Sequence, residues 1–128
     1  MTAPNKTILV VDDDVSLVDG LCAVLRDLGY RAVASHDGAA GMASADAEKP
    51  DLVIVDMMMP KKSGFLVVQH VKTLLHPAPK VVMITANEGS RHKAYAESLG
   101  VDDYLRKPFG MGKLLEAVGR LCPLDPPV

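Results

Sequence analysis

At 128 residues the chain has room for one hydrophobic core and not for two, so a single domain is expected. Hydrophobic residues make up 48% and charged residues 23%, the balance of an ordinary globular domain, which argues against disorder. A net charge of -2 with no basic cluster lacks the electrostatic footprint of a nucleic-acid binder, so no direct nucleic-acid contact is expected. No apolar segment of signal-peptide type follows the first six residues, and the longest apolar runs are of strand length, far below the ~20 residues of a membrane span. A cytoplasmic protein with no membrane partner is the expectation. There Cys22 and Cys122, far apart and without metal-type spacing, read as buried free thiols. His36, His70, His76 and His92 are scattered over different segments and suggest no histidine metal cluster.

In chain order, Thr7-Ile8-Leu9-Val10-Val11 reads as a first strand. A helix over 15–28 follows: Leu17, Leu21, Val24 and Leu28 recur at helical spacing, Asp14 caps the start and Gly29 takes the left-handed position after the end. Arg31-Ala32-Val33-Ala34 is a second strand. A second helix follows Asp37 and stops before Pro50, its alanine-rich face with Met42 burying little. Leu52-Val53-Ile54-Val55 is a third strand, followed by a helix over 63–75 that turns Phe65, Val68 and Val71 inward and is stopped by Pro77. Val81-Val82-Met83-Ile84 is a fourth strand, and a helix over 91–99 is closed by Gly100. Asp103-Tyr104-Leu105 forms a weaker fifth strand. The last helix, over 111–121, lines up Leu114, Leu115, Val118 and Leu121, while Gly112 and Gly119 weaken it by up to ~1 kcal/mol each at interior positions.

Three of the strands are continuously apolar, as central parallel strands covered on both faces are. Five alternations of strand and helix predict an α/β, doubly wound parallel sheet with helices on both faces, joined by right-handed crossovers. In such a sheet the functional crevice lies beyond the carboxyl ends of the strands, where the strand order reverses. The domain is expected over 1–122, with the proline-rich 123–128 as a tail or linker stub.

Chemistry-bearing residues fall at those strand ends. Asp12, Asp13 and Asp14 follow the first strand and Asp56 follows the third. Carboxylates gathered in one cleft resist ionising together unless a cation is present, and a hard divalent ion, Mg²⁺ before Ca²⁺, suits oxygen ligands that also face a phosphate. The plainer alternative has Asp14 capping the helix and Asp12 and Asp13 solvated, and for Asp14 alone capping is preferred. Thr85 ends the fourth strand and Lys107 follows the fifth; a hydroxyl and an ammonium there can each contact a phosphoryl oxygen. Singly, a threonine after a strand is usually a turn residue and a lysine is usually solvated. Four such features at four strand ends of one crevice are a different matter.

Together, Ile8-Leu9-Val10-Val11-Asp12-Asp13-Asp14, then Asp51-Leu52-Val53-Ile54-Val55-Asp56-Met57-Met58-Met59-Pro60 with Gly64, then Ile84-Thr85-Ala86, then Gly100-Val101-Asp102-Asp103-Tyr104-Leu105-Arg106-Lys107-Pro108-Phe109 strongly resemble the receiver domain of two-component response regulators. The resemblance covers nearly the whole chain. It implies a flavodoxin-like (βα)5 fold with strand order 2-1-3-4-5, and a phosphorylation switch that is a phosphoacceptor and not an enzyme acting on a separate substrate. By resemblance, Asp56 takes a phosphoryl group from a phosphohistidine on a sensor histidine kinase or histidine phosphotransfer protein. Asp13, Asp56 and the backbone carbonyl of Met58 bind Mg²⁺, and Asp12 acts through a coordinated water. Lys107 holds a phosphoryl oxygen and pairs with Asp56, Thr85 moves toward the aspartyl phosphate, and Tyr104 turns inward behind it. The plain alternative for Tyr104 is an edge-strand aromatic that simply packs. Helix 4, strand 5 and helix 5 form the expected signalling surface toward a downstream protein or attached output domain, and the face for a homodimer. The Lys107-Pro108 bond is expected to be cis.

The segment Pro60-Lys61-Lys62-Ser63-Gly64 departs from the acidic residue the family often carries before this glycine, which bears on kinase docking and leaves Ser63 able to cap the third helix. Met58 and Asn87 stand, by resemblance, beside the path of the hydrolytic water, where bulky Met58 is expected to slow loss of the phosphate. Two rival readings stay open at this level. Asp12-Asp13-Asp14-Val15 also fits the opening of haloacid-dehalogenase-type phosphatases, with Asp12 as nucleophile and Asp102-Asp103 as the late acidic pair, although that leaves Asp56 and the segment through Gly64 unexplained. A receiver-like module that signals without phosphorylation is the other, although no active-site residue has been lost. No output domain follows the fifth helix, so both a stand-alone receiver and one cut from a longer protein fit.

Overall fold

The computed structural model describes residues 6–59, 61–86 and 90–125, with Ser90 by its backbone alone. Among these, five strands, β1 Thr7–Val11, β2 Arg31–Ser35, β3 Leu52–Asp56, β4 Lys80–Thr85 and β5 Asp103–Arg106, alternate with five helices, α1 Val15–Asp27, α2 Gly38–Glu48, α3 Gly64–Leu74, α4 Ser90–Ser98 and α5 Met111–Leu121. All neighbouring strands are parallel, in the order β2-β1-β3-β4-β5. This is the expected doubly wound fold. The three continuously apolar strands, β1, β3 and β4, are the three at its centre.

Because successive strand residues face opposite sides of a sheet, the core divides in two. Ile8, Val10, Leu52, Ile54, Val82 and Ile84 pack under α1 and α5 through Leu21, Leu25, Leu114 and Val118. Leu9, Val11, Val53, Val55, Val81 and Met83 pack under α2, α3 and α4 through Ala45, Val67, Val68, Val71 and Ala96. Helix starts are fixed by side-chain caps, Asp14 and Ser63 as expected and Asp37 besides: Asp14 accepts from the Leu17 N–H at 3.1 Å, Asp37 from Ala40 at 2.7 Å and Ser63 from Leu66 at 3.4 Å. Gly29 leaves α1 with φ 104°, a conformation that favours glycine.

The inward face of α1 differs from the expected stripe. Val18, Leu21, Cys22 and Leu25 are buried, whereas Leu28 is 50% exposed. The sequence carries two overlapping apolar stripes here, and Leu28 falls at the C-cap, past the last residue that can face the sheet. In α5, Leu114 and Val118 are buried as expected, Ala117 joins them, and Leu115 and Leu121 pack at the rim. β3 and β4 each run one residue further toward the carboxyl edge than their apolar runs, so Asp56 and Thr85 belong to the ladder. Both cysteines are free and buried. Burial, with the charge of Asp51 adding to it against that of Lys6, pushes the Cys122 thiol up to about 11, and the Tyr30 hydroxyl donates to the Cys122 carbonyl at 2.7 Å, tying the end of α5 to the core.

Gly64 lets α3 start against the end of β3. Its N–H donates to the Met57 carbonyl at 2.9 Å, and a Cβ there would overlap the backbone of Asp56 and Met57. Gly64→Ala is expected to cost about 1–3 kcal/mol as overpacking against backbone. Gly119→Ala, where a Cβ meets open space on exposed α5 surface, is expected to stabilise by about 0.5–1 kcal/mol. Urea unfolding of the two variants checks the opposite signs.

Candidate functional site

The chain turns from β2 across β1 to β3, so the order reverses between β1 and β3, and the residues that follow or end these strands share one crevice. Asp12 and Asp56 are buried, at 0% and 6% exposure, while Asp13 is exposed. One carboxylate oxygen from each of the three lies within 4.8 Å of the others. Lys107 reaches in from the end of β5, its Nζ 2.9 Å from Asp12 Oδ2 and 3.8 Å from Asp56 Oδ2. The other Asp12 oxygen accepts the Asp14 N–H at 3.0 Å.

Lys107 pairs with Asp56 as expected, at 3.8 Å, but its shorter bond goes to Asp12. Asp12 has no access to water and must have its charge answered by protein, whereas Asp56 borders the cleft. The Lys107 backbone is fixed by its N–H donating to the Thr85 carbonyl at 2.6 Å, and the Lys107-Pro108 bond is cis, as expected. Asp56, Met58, Ala86 and Lys107 line an open cleft of about 390 Å³.

Burial, reinforced by the negative charge of Asp12, pushes the Asp56 carboxyl up from 3.8 to about 6; Lys107 opposes this, Asp13 adds to it and the Met58 N–H opposes it. Burial works against the Lys107 ammonium, yet its hydrogen bond to Asp12 and the charges of Asp56, Asp12 and Asp14 outweigh that and raise its pKa. A single ammonium therefore does not satisfy the crevice. Three oxygen donors around a site still short of positive charge suit a hard divalent cation, so the residues present fit Mg²⁺.

Thr85 is wholly buried, and its hydroxyl donates to Met57 Sδ at 3.7 Å. The hydroxyl of half-buried Tyr104 points at the same sulfur at 4.0 Å. Both residues expected to take part in switching thus meet on Met57, which the sequence did not single out: it stands inside the run Met57-Met58-Met59, where nothing marks one methionine from the next. Met58 is 65% exposed at the mouth of the cleft. Asn87 and Pro60 lie outside the described residues.

The acidic pair of the phosphatase alternative is not brought to Asp12. Asp102 accepts the Val81 N–H and the Lys72 ammonium near the amino end of β4, and Asp103 pairs with Arg120 of α5 at 2.6 Å. In a parallel sheet the amino end of β4 is the far edge from Asp12. Asp12, with an oxygen committed to each of two donors, is also poorly free to act as nucleophile.

Residues 8–119 match the response regulator receiver domain family. The chain is 39% identical over 107 residues to the alkaline phosphatase synthesis transcriptional regulatory protein PhoP of Bacillus subtilis, covering 82% of this chain and 43% of that protein. It is 33% identical over 112 residues to the sensory transduction protein RegX3 of Mycobacterium tuberculosis, covering 88% and 48%. The chain thus spans about half the length of these curated relatives. Among solved structures, a CheY-like response regulator receiver domain protein from Methanospirillum hungatei JF-1 is similar with a TM-score of 0.83 and 27% identity, over 90% of this chain and 91% of that one.

A raised carboxyl pKa means the fold prefers Asp56 protonated, so the stability tied to this group is present below about pH 4 and is lost as pH rises through about 6. In EDTA, the unfolding free energy of the unaltered chain relative to Asp56→Asn is expected to fall by on the order of 2–3 kcal/mol between pH 4 and 7.5. Adding Mg²⁺ at pH 7.5 is expected to restore stability to the unaltered chain and much less to Asp56→Asn. Urea titrations across pH check both.

Proposed function

Because this chain belongs to the response regulator receiver domain family, we propose that Asp56 accepts a phosphoryl group from a phosphohistidine on a sensor histidine kinase or a histidine phosphotransfer protein. The observation that carries this reading is the placement of Asp56 at the mouth of the cleft, with Asp12 and Asp13 beside it and the Lys107 ammonium 3.8 Å away. An Asp56 oxygen attacks phosphorus, the phosphorus–nitrogen bond breaks, and the imidazole leaves with the electron pair. Asp13, Asp56 and the Met58 carbonyl would hold Mg²⁺, and Asp12, whose oxygens accept from Lys107 and the Asp14 N–H, would act on it only through a water brought in with the ion. When bound, the ion supplies positive charge to the phosphoryl oxygens.

Lys107 is already in the crevice and already charged, so it meets a phosphoryl oxygen with little reorganisation. Its second bond, to Asp12, keeps the ammonium aimed between the two carboxylates. Thr85 turns its hydroxyl to the aspartyl phosphate, with Tyr104, expected to turn inward but already directed at the core beside Met57, behind it. Water later attacks phosphorus, the bond from phosphorus to the Asp56 oxygen breaks, and inorganic phosphate leaves with the carboxylate restored; Met58, exposed at the cleft, hinders the approach of that water. The chain assists these steps on itself and acts on no separate substrate, a phosphoacceptor in the cytoplasm and not an enzyme in the turnover sense.

The output surface is α4–β5–α5. Of the described side chains in α4 only Ala96 is fully buried, and the helix is further held by Tyr95 set edge-on to Phe65 at 4.9 Å and His92 stacked on it at 6.2 Å. A helix seated by so little apolar area moves at low cost. Its partner is a downstream protein, an output domain attached beyond the receiver at 1–122 through the segment 123–128, or a second copy of the chain. Control of transcription, the task in the name of PhoP, falls to such a module and not to nucleic-acid contact by this domain.

Acetyl phosphate with Mg²⁺ is expected to label the chain at Asp56, and Asp56→Asn to abolish labelling, as read by mass spectrometry. A label on Asp12 that survives Asp56→Asn would overturn the reading. Met58→Asn is expected to speed loss of the phosphoryl group several-fold in a single-turnover decay; an unchanged or slower decay counts against the part given to Met58.

A further inference from the structure

We propose that Met57 is a positioning residue of the switch: its thioether holds the Thr85 and Tyr104 hydroxyls together in the unphosphorylated chain and releases Thr85 when Asp56 is phosphorylated. This rests on the roles proposed above for Asp56 and Thr85. Met57 is wholly buried, and its backbone is clamped from two sides. Its N–H donates to the Ile84 carbonyl at 2.9 Å, and its carbonyl accepts the Gly64 N–H at 2.9 Å. The side chain is thereby aimed into the core on the α3–α4 side of the sheet, among Val55, Met83, Ala96 and Tyr104.

There it meets hydroxyls from two neighbouring strands, Thr85 from β4 at 3.7 Å and Tyr104 from β5 at 4.0 Å. A leucine of similar volume fills such a space as well but accepts no hydrogen bond. A thioether is a weak, polarizable acceptor. The weakness suits the task, because an ionised phosphoryl oxygen is a stronger acceptor and draws the Thr85 hydroxyl away. Thr85 and Tyr104 then share one atom, so moving the first changes what holds the second. The coupling of the phosphorylated edge to β5 runs through this sulfur.

The sign of the effect follows. Removing the acceptor weakens only the unphosphorylated arrangement, so the equilibrium moves toward the one in which Thr85 faces Asp56, and a phosphoryl mimic binds a larger competent fraction.

The test is titration of the whole chain with beryllofluoride and Mg²⁺, followed by calorimetry. Met57→Leu and Met57→Ile are each compared with the unaltered chain, and again in the presence of Thr85→Val, with urea curves reporting folding. Both are expected to lower the apparent Kd roughly three- to tenfold when Thr85 is present, and to change it less than about twofold beside Thr85→Val. Unchanged or weaker binding, an equal gain in both backgrounds, or failure of both variants to fold would assign Met57 to packing alone and overturn the proposal. Absence of Asp56-dependent binding in the unaltered chain would instead overturn the phosphoacceptor reading beneath it.

Discussion

The ion pair of Lys107 with Asp12, 2.9 Å long with the aspartate wholly out of water, lets three carboxylates share one crevice. A buried carboxylate without a partner is among the costliest groups a fold can contain. Asp12 escapes that cost by dividing its oxygens between the ammonium and the Asp14 N–H. The same lysine stands 3.8 Å from Asp56, but there the compensation is incomplete, since burial and the Asp12 charge still hold that carboxyl at about 6. Two aspartates ten-odd Ångström apart in a solvated loop would show none of this. The charge imbalance is a property of the crevice, and it is what makes the crevice receptive to a cation and, in the proposed mechanism, to a dianionic group brought with it.

That imbalance needs rigid placement, which the sheet supplies. Asp56 is paired with Ile84 in the β3–β4 ladder and Thr85 with Arg106 in the β4–β5 ladder, so neither can retreat into solvent to relieve repulsion. Lys107 is one residue past β5 and bonded through its own N–H to the Thr85 carbonyl. Just beyond Asp56, Gly64 brings the start of α3 against the backbone of Asp56 and Met57. Functional groups carried on strand ends and locked by backbone hydrogen bonds hold their geometry better than groups on free loops.

Much of this was readable in the residues, for identifiable reasons. β1 and α5 fall where their patterns put them, because one is continuously apolar and the other strongly one-sided. The carboxylates, Thr85 and Lys107 were found because strand-end chemistry is local: each sits next to an apolar run. What was not legible depends on neighbours distant in sequence. The face of α1 could not be settled between two overlapping stripes without knowing how the helix lies on β1. The choice of Asp12 over Asp56 by Lys107 depends on relative burial, which no spacing encodes. Asp102, an acid adjoining another in sequence, is used far from the crevice, holding Lys72 and the Val81 N–H. Met57 carries no local signal, since only the convergence of β4 and β5 gives its sulfur two hydroxyl partners.

The crevice therefore has two sides of different chemical character. Facing the cleft are hard, charged groups: Asp12, Asp13, Asp56 and Lys107. Behind them is a soft, neutral contact among Met57, Thr85 and Tyr104, continuous with the core under α3 and α4. A switch requires two arrangements within a few kcal/mol of each other, and a trigger that interacts with them unequally. Held by a thioether, Thr85 trades a weak neutral acceptor for a charged one, a difference on the order of 1–2 kcal/mol. That is enough to move a balanced equilibrium about tenfold, and a lightly seated α4 presents little resistance to the change. In the proposed mechanism, charge chemistry at Asp56 reaches the α4–β5–α5 surface because Thr85, between the hard side and the soft one, gives its hydroxyl to the Met57 thioether until a phosphoryl oxygen competes for it.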